Sequence, residues 1–166
     1  MINEVDILRK ITTRSENLIQ LAEEAGELSE EALKLITKSM NKNVKSVIGI
    51  DFIEEIADVK LCIDLVGDYK FTSSTKPVKV EPGHTIMEGL IERCLKLSKA
   101  SLKFRRATDS SSSPTPISAE DAEAAFVKAI NNIKSYIDFI GDYWDNDIVN
   151  HIYKEKATRY LGRVLG

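Results

Sequence analysis

The sequence predicts an all-α helical bundle, and two patterns lead to that fold class. Apolar residues recur about every three to four positions, which is the spacing of one face of an α-helix. No segment alternates between apolar and polar residues with the period of two that a half-buried strand requires. With 166 residues, of which 43% are hydrophobic, the chain is long enough for one domain with its own core.

The helix boundaries follow from the apolar pattern and from capping residues. Ser15 is the predicted start of the second helix, and Ser118 that of the fifth, with Asp121 three residues on. Gly67 and Gly141 are predicted helix stops. The expected helices cover residues 3–12, 15–38, 46–66, 86–106, 118–141 and 147–163.

The second half of the chain repeats part of the first. Residues 51–69 and 125–143 share eight identities at an offset of 74, Phe52 with Phe126 among them. We therefore predict an internally duplicated helical pair. Within a single domain of residues 1–166, the two repeats and the last helix cover 15–70, 86–143 and 147–163. A simpler alternative is that similar amphipathic helices end in similar caps.

Two acidic pairs lie in the first repeat. Glu24 and Glu27 are three residues apart, as are the members of the second pair, Glu55 and Asp58, and residues at this spacing are neighbours on a helix. At about 100° per residue, Glu24 and Glu55 each lie about 70° from the centre of their helix's apolar stripe. The other two acids lie about 130° away, on the same side. Two such helices packed face to face would bring all four carboxylates together.

Crowded carboxylates are candidates for holding a metal ion. They repel one another and raise each other's pKa, and a hard cation with oxygen ligands relieves that repulsion. The sequence therefore predicts a Mg²⁺ site, with Mn²⁺ as a substitute, formed by Glu24, Glu27, Glu55 and Asp58. The plainer alternative is that these acids form a solvated helix face.

The second repeat lacks these acids. At the offset of 74 they are replaced by Ser98, Ser101, Ala129 and Asn132. We therefore expect one half to hold the metal and the degenerate half to keep only the packing.

The last helix carries a basic face. Lys156, Arg159 and Arg163 are spaced i, i+3, i+7 and are candidates for binding an anionic substrate. Basic residues are also favoured near a helix C-terminus by the macrodipole, so this pattern alone leaves both roles open.

The acids and their spacing resemble the signature of the MazG-like nucleotide pyrophosphohydrolases, Glu23-Glu24-x-x-Glu27 followed by Glu55-x-x-Asp58. The resemblance covers about residues 15–70. It implies an all-α enzyme in which the four matching acids hold Mg²⁺ and water converts a nucleoside triphosphate to the monophosphate and pyrophosphate. Dimeric dUTPases belong to the same superfamily and resemble the duplicated arrangement, but this chain is shorter than they usually are, so their uridine specificity is not carried over.

In that reaction a carboxylate at the edge of the cluster would take a proton from water. Glu27 is the first candidate because it projects farthest from the core on its helix, and Glu24 is the second. Lys156, Arg159 and Arg163 would contact the phosphates of the substrate. The base and sugar preferred stay open.

Other partners are disfavoured. The net charge of −3 argues against a nucleic-acid scaffold. No stretch reaches the roughly 18 apolar residues of a membrane span, and no signal peptide is recognisable, so a cytoplasmic location is expected. Association into a homo-oligomer such as a dimer stays open.

Two rival functions also place acids on helices. A di-iron bundle needs Glu-x-x-His on a helix, and the motif occurs only as Glu81-Pro82-Gly83-His84, which cannot be helical. A non-catalytic adaptor with an acidic face is compatible with the sequence and stays the alternative.

Overall fold

The computed structural model describes residues 3–38, 48–67, 85–109, 117–141 and 144–166. These residues form six helices and no strand, which confirms the predicted all-α class. The helices are α1 (Glu4–Ile11), α2 (Arg14–Lys38), α3 (Ile50–Val66), α4 (Ile86–Thr108), α5 (Ala119–Ile140) and α6 (Asn146–Leu165). None of them is long and apolar enough to cross a membrane.

Capping residues set most of the observed boundaries. Ser118 caps α5 as predicted, and its side chain accepts a hydrogen bond from the Asp121 backbone N–H at 3.1 Å. Gly67 ends α3 with a φ of 117°, in the left-handed region that favours glycine. Gly141 follows α5 as its C-cap. The predicted stops are therefore confirmed.

Two predicted helix starts are wrong. α2 begins at Arg14 because Thr13, rather than Ser15, forms its cap. The Glu16 backbone N–H donates to the Thr13 hydroxyl at 3.2 Å, and the Thr13 backbone N–H donates to the Glu16 carboxylate at 3.0 Å. This reciprocal pair satisfies two amide groups that a Ser15 cap would leave open. α3 begins at Ile50, with Gly49 as an extended N-cap, and residues 46–47 of the expected helix lie outside the described ranges.

The main core lies between α2, α3, α4 and α5. α2 packs against both α3 and α4, and α4 packs against α5. Phe104 and Phe126 stack at 5.3 Å between ring centroids and join α4 to α5. The predicted apolar stripes of α2, α3 and α5 are buried throughout: Leu18, Leu21, Ala25, Leu28, Ala32 and Leu35; Phe52, Ile56, Val59, Ile63 and Val66; Phe126, Ile130, Ile133, Ile137 and Ile140.

The last helix, α6, packs along α3 and is fixed there by polar contacts as well as apolar ones. The Tyr153 hydroxyl donates to the Asp64 carboxylate at 2.6 Å, and Arg9 of α1 donates to the Asp64 backbone carbonyl at 2.5 Å. A small cluster of buried apolar residues fills the same region: Val5, Leu8, Leu61, Leu65 and Ala157. These contacts turn one face of α6 toward α3.

At the offset of 74, the burial of α3 matches that of α5, but the burial of α2 does not match that of α4. The five stripe residues of α3 and their counterparts 74 residues on are all buried. The counterparts of the buried Leu21 and Leu28 are Leu95 and Leu102, which are 57% and 41% exposed. Ser98 and Ser101 therefore do not take the helix-face positions of Glu24 and Glu27. The duplication itself stays a prediction.

Close packing at Gly89 generates a prediction about stability. A Cβ atom at Gly89 would lie 2.3 Å from the Tyr136 hydroxyl, which donates a hydrogen bond of 2.7 Å to the Ile86 carbonyl. We expect Gly89→Ala to lower the free energy of unfolding by about 1–2 kcal/mol, since overpacking outweighs the helix propensity gained.

Urea denaturation measures the effect, and Gly26→Ala is the matched control. Gly26 is also within a helix, but a Cβ there has nothing within 4 Å. Gly26→Ala should therefore gain about 0.5–1 kcal/mol. Equal gains in both variants would contradict the packing argument at Gly89.

Candidate metal centre

The two acid-bearing helices run antiparallel. Asn17, near the start of α2, donates from its side-chain amide to the backbone carbonyl of Leu65, near the end of α3, at 3.1 Å. The same pairing places the middle of α2 beside the middle of α3, where the acids are. Each acid lies beside a buried stripe residue, so core packing fixes its backbone position.

Three of the four predicted ligands converge. Carboxylate oxygens of Glu24, Glu55 and Asp58 lie within 4.8 Å of one another. All three residues are half-buried. We call these three residues the acid triad. Its oxygens are close enough for a single small cation to contact all three carboxylates after modest side-chain movement.

Glu27, the fourth predicted ligand, is not part of the acid triad in this arrangement. It is exposed and lies at the edge of the same cavity, one turn along α2 from Glu24. Glu23 is exposed, and Glu54 is half-buried.

The surroundings of the acid triad disfavour negative charge, even with Lys156 beside Asp58. Burial, followed by the charge of Asp58, raises the pKa of Glu24 from 4.5 to about 7. The same two causes, in the same order, raise the pKa of Glu55 from 4.5 to about 7. A carboxylate at this place is thus harder to ionise than one in water, and a nearby positive charge would reverse that effect.

An unsatisfied oxygen marks where a cation would fit. Glu55 Oε2 is fully buried and has no hydrogen-bond partner among the described residues. A buried carboxylate oxygen without a donor is costly, and a metal ion is one group that would satisfy it. The donor set consists of carboxylate oxygens, which suits Mg²⁺ or Mn²⁺ better than softer metals. The residues present therefore fit the predicted ion.

A cavity of about 390 Å³ opens beside the acid triad and also reaches the three predicted cationic residues. Lys156, Arg159 and Arg163 of α6 line it together with the four acids. Lys156 forms an ion pair with Asp58, and both side chains are mostly buried. The packing of α6 on α3 thus brings the basic face and the acids to one cavity.

Sequence reasoning missed two polar residues of this cavity. Gln20 donates from its side-chain amide to Glu24 at 2.5 Å, which opposes the upward shift of the Glu24 pKa. Its spacing of four residues before Glu24 was a signal that could have found it. Tyr160 lines the cavity from α6. Tyr160 shares a helix face with Lys156 and Arg163, but only the packing of α6 shows that this face lines the cavity.

The chain matches no protein-family model, no curated protein and no solved structure. We therefore infer function from the geometry of the cavity and from the acidic and basic residues that line it.

Removal of one acid tests the metal centre. We expect Glu55→Gln to weaken Mg²⁺ binding by more than about tenfold, since even outer contacts of metal ligands are worth that much. Titration calorimetry measures the affinity. Ser98→Ala and Asn132→Ala, in the other half of the chain, should bind Mg²⁺ as the unaltered protein does. Loss of Mg²⁺ binding in these two variants would place the metal site in the second half of the chain and contradict the prediction.

The raised pKa values predict a pH-dependent stability of the metal-free protein. Between about pH 4.5 and pH 7 the folded chain holds a proton on Glu55 that the unfolded chain has released, so this group makes stability fall as pH rises. Glu55→Gln should therefore unfold at higher urea concentration than the unaltered protein near pH 8. The difference should shrink as the pH falls below 4.5, where Glu55 becomes protonated in the unfolded state as well.

Glu23→Gln is the control for this measurement. Glu23 is exposed to solvent, so its substitution should shift the urea midpoint little at either pH. A Glu55→Gln variant that is less stable near pH 8 would show that the carboxylate is stabilised, not strained, by its surroundings.

Proposed function

We propose that this chain is a Mg²⁺-dependent nucleoside triphosphate pyrophosphohydrolase, which converts a nucleoside triphosphate to the monophosphate and pyrophosphate. The observation that carries the proposal is the pairing of opposite charges around one cavity. Carboxylates of α2 and α3 line one part of it, and cations of α6 line another. A divalent ion needs the first group, and a triphosphate needs the second.

The reaction requires a nucleophile, a proton acceptor and charge neutralisation. The oxygen of a water molecule attacks the α-phosphorus, and the bond from that phosphorus to the oxygen bridging to the β-phosphate breaks. Pyrophosphate leaves, and the water gives up one proton. Mg²⁺, when bound, neutralises phosphate charge and makes water in its coordination sphere more acidic.

The proton acceptor must lie at the edge of the acid cluster, where water can reach it. Glu27 meets this requirement because it is exposed and lines the cavity. A carboxylate that also ligates a cation is a weaker base, and this favours Glu27 over the half-buried Glu24. We therefore assign Glu27 as the first candidate for general base and Glu24 as the second.

The arginines of α6 are suited to the phosphates. Arg159 and Arg163 lie one turn apart and both line the cavity. A guanidinium group donates paired hydrogen bonds that match phosphate oxygens, and it stays charged at any working pH. Binding the leaving β- and γ-phosphates there would orient the α-phosphorus toward the acids.

The resemblance of the acidic motif to MazG-like enzymes supports the same reaction. The adaptor alternative fits the geometry less well, because an acidic face that binds a partner should be exposed. Here Glu24, Glu55 and Asp58 are half-buried, and burial raises the pKa of Glu24 and Glu55. Burying charged carboxylates costs free energy, and recognition of a partner at the surface does not require that burial.

A panel of all common ribo- and deoxyribonucleoside triphosphates tests the proposal. We expect Mg²⁺-dependent release of pyrophosphate from at least one of them, and reaction in ¹⁸O-labelled water should place the label in the monophosphate. Glu55→Gln should lower the rate by orders of magnitude, and Glu23→Gln should not. Release of inorganic phosphate instead, or no turnover by a protein that binds Mg²⁺, would contradict the proposal.

Substitution of one arginine tests the role of α6. Loss of a charged hydrogen bond is worth about 1.5–3 kcal/mol, so Arg159→Ala should lower kcat/KM for triphosphates by about 10- to 100-fold. Mg²⁺ affinity without nucleotide should change little. Lys154→Ala is the control, since Lys154 is exposed on the same helix but does not line the cavity. An unchanged kcat/KM in Arg159→Ala would make α6 a surface helix only.

A further inference from the structure

Lys156 already occupies the anionic site that a metal ion would use. Its ammonium contacts the Asp58 carboxylate, and the side chains are only 23% and 18% exposed. The contact joins α6 to α3 across the cavity. It is reinforced by Tyr153, one turn earlier on α6, which donates to Asp64 of α3. Lys156 is therefore held at the acids by the packing of the helix that carries it.

The charge of Lys156 acts on the other members of the acid triad as well. Its positive charge lowers the pKa of both Glu24 and Glu55, against the larger effects of burial and of Asp58. One ammonium cannot neutralise three carboxylates. Lys156 thus compensates the acid cluster in part, and its contact is with Asp58 alone among the three.

A divalent ion and Lys156 compete for this place. An ion held by the acid triad needs an oxygen of Asp58, and its double charge repels an ammonium a few ångströms away. The lysine side chain has a flexible four-carbon stem, so its ammonium group can leave Asp58 without movement of α6. Displacement then leaves a cation on the cavity wall with no carboxylate partner, beside Arg159 and Arg163.

We propose that Lys156 is an exchangeable counter-ion: it neutralises Asp58 in the metal-free protein, yields Asp58 to the divalent ion, and then binds the phosphates of the substrate. The identity of the anion rests on the proposed function, whereas the exchange at Asp58 does not. One consequence is cooperative binding. The metal ion frees Lys156 to bind the phosphates, and the phosphates hold Lys156 away from Asp58. Metal and triphosphate therefore raise one another's affinity by the same factor.

Metal titration without nucleotide tests the exchange directly. Mn²⁺ binding is followed by electron paramagnetic resonance in the unaltered protein and in Lys156→Met, which keeps the length of the stem and removes the charge. We expect the variant to bind Mn²⁺ more tightly by a factor on the order of ten, a typical size for coupling between sites. Lys154→Met, on the exposed side of α6, should bind Mn²⁺ like the unaltered protein.

A second set of titrations measures the coupling. A triphosphate with a non-hydrolysable α,β bridge should tighten Mn²⁺ binding in the unaltered protein, and it should do so less in Lys156→Met. Circular dichroism and urea unfolding establish that the variant is folded. A folded Lys156→Met that binds Mn²⁺ with unchanged or lower affinity would overturn the exchange.

The unaltered protein offers a test that does not depend on a folded variant. The side-chain NMR resonances of Lys156 should shift when Mg²⁺ is added without nucleotide, because the ammonium leaves Asp58. Resonances that stay in place at saturating Mg²⁺ would overturn the proposal. Exchange without triphosphate hydrolysis would contradict only the proposed function, and hydrolysis without exchange would contradict only the role of Lys156.

Discussion

The site depends on carboxylates that core packing forces into a half-buried groove. α2 and α3 approach closely, and the fully buried Ala25 and Ala57 lie next to Glu24 and Asp58 in the sequence. The acids flank this contact, which fixes the positions of their backbones. Burial of two long apolar stripes supplies the free energy that offsets their repulsion. The fold thus stores an unfavourable charge arrangement that a cation can relieve.

The other helices either carry cations to the acids or hold the cavity-lining helices in place. α6 supplies cations, and its place depends on Asp64, which accepts from Tyr153 of α6 and, at its backbone, from Arg9 of α1. α1 has no residue in the cavity, yet it backs the helix that does. α4 and α5 complete the core behind α2. Among the described residues, the cavity is lined by α2, α3 and α6, and the other three helices support these.

Helical periodicity predicted more than the fold class. The phase of the apolar stripes placed all four acids on the same side of their helices, and three of them, Glu24, Glu55 and Asp58, converge. It put Asp58 as far from its stripe as Glu27, yet Asp58 is half-buried and Glu27 is exposed. What it missed depends on tertiary contacts. The reciprocal hydrogen bonds of Thr13 and Glu16 set the start of α2, and the packing of α6 on α3 depends on contacts such as Tyr153 with Asp64, which periodicity does not encode. The offset of 74 matches the burial of α3 and α5 but not that of α2 and α4, where Leu95 and Leu102 are exposed.

A crystal structure with Mg²⁺ and a non-hydrolysable triphosphate would show whether one cavity binds both ligands. We expect an ion bonded to oxygens of Glu24, Glu55 and Asp58 at about 2.0–2.1 Å, and phosphates that contact Arg159 and Arg163 of α6. The α-phosphorus should face the acids, with Lys156 withdrawn from Asp58. A triphosphate bound elsewhere, or an acid triad that holds no ion at saturating Mg²⁺, would contradict it.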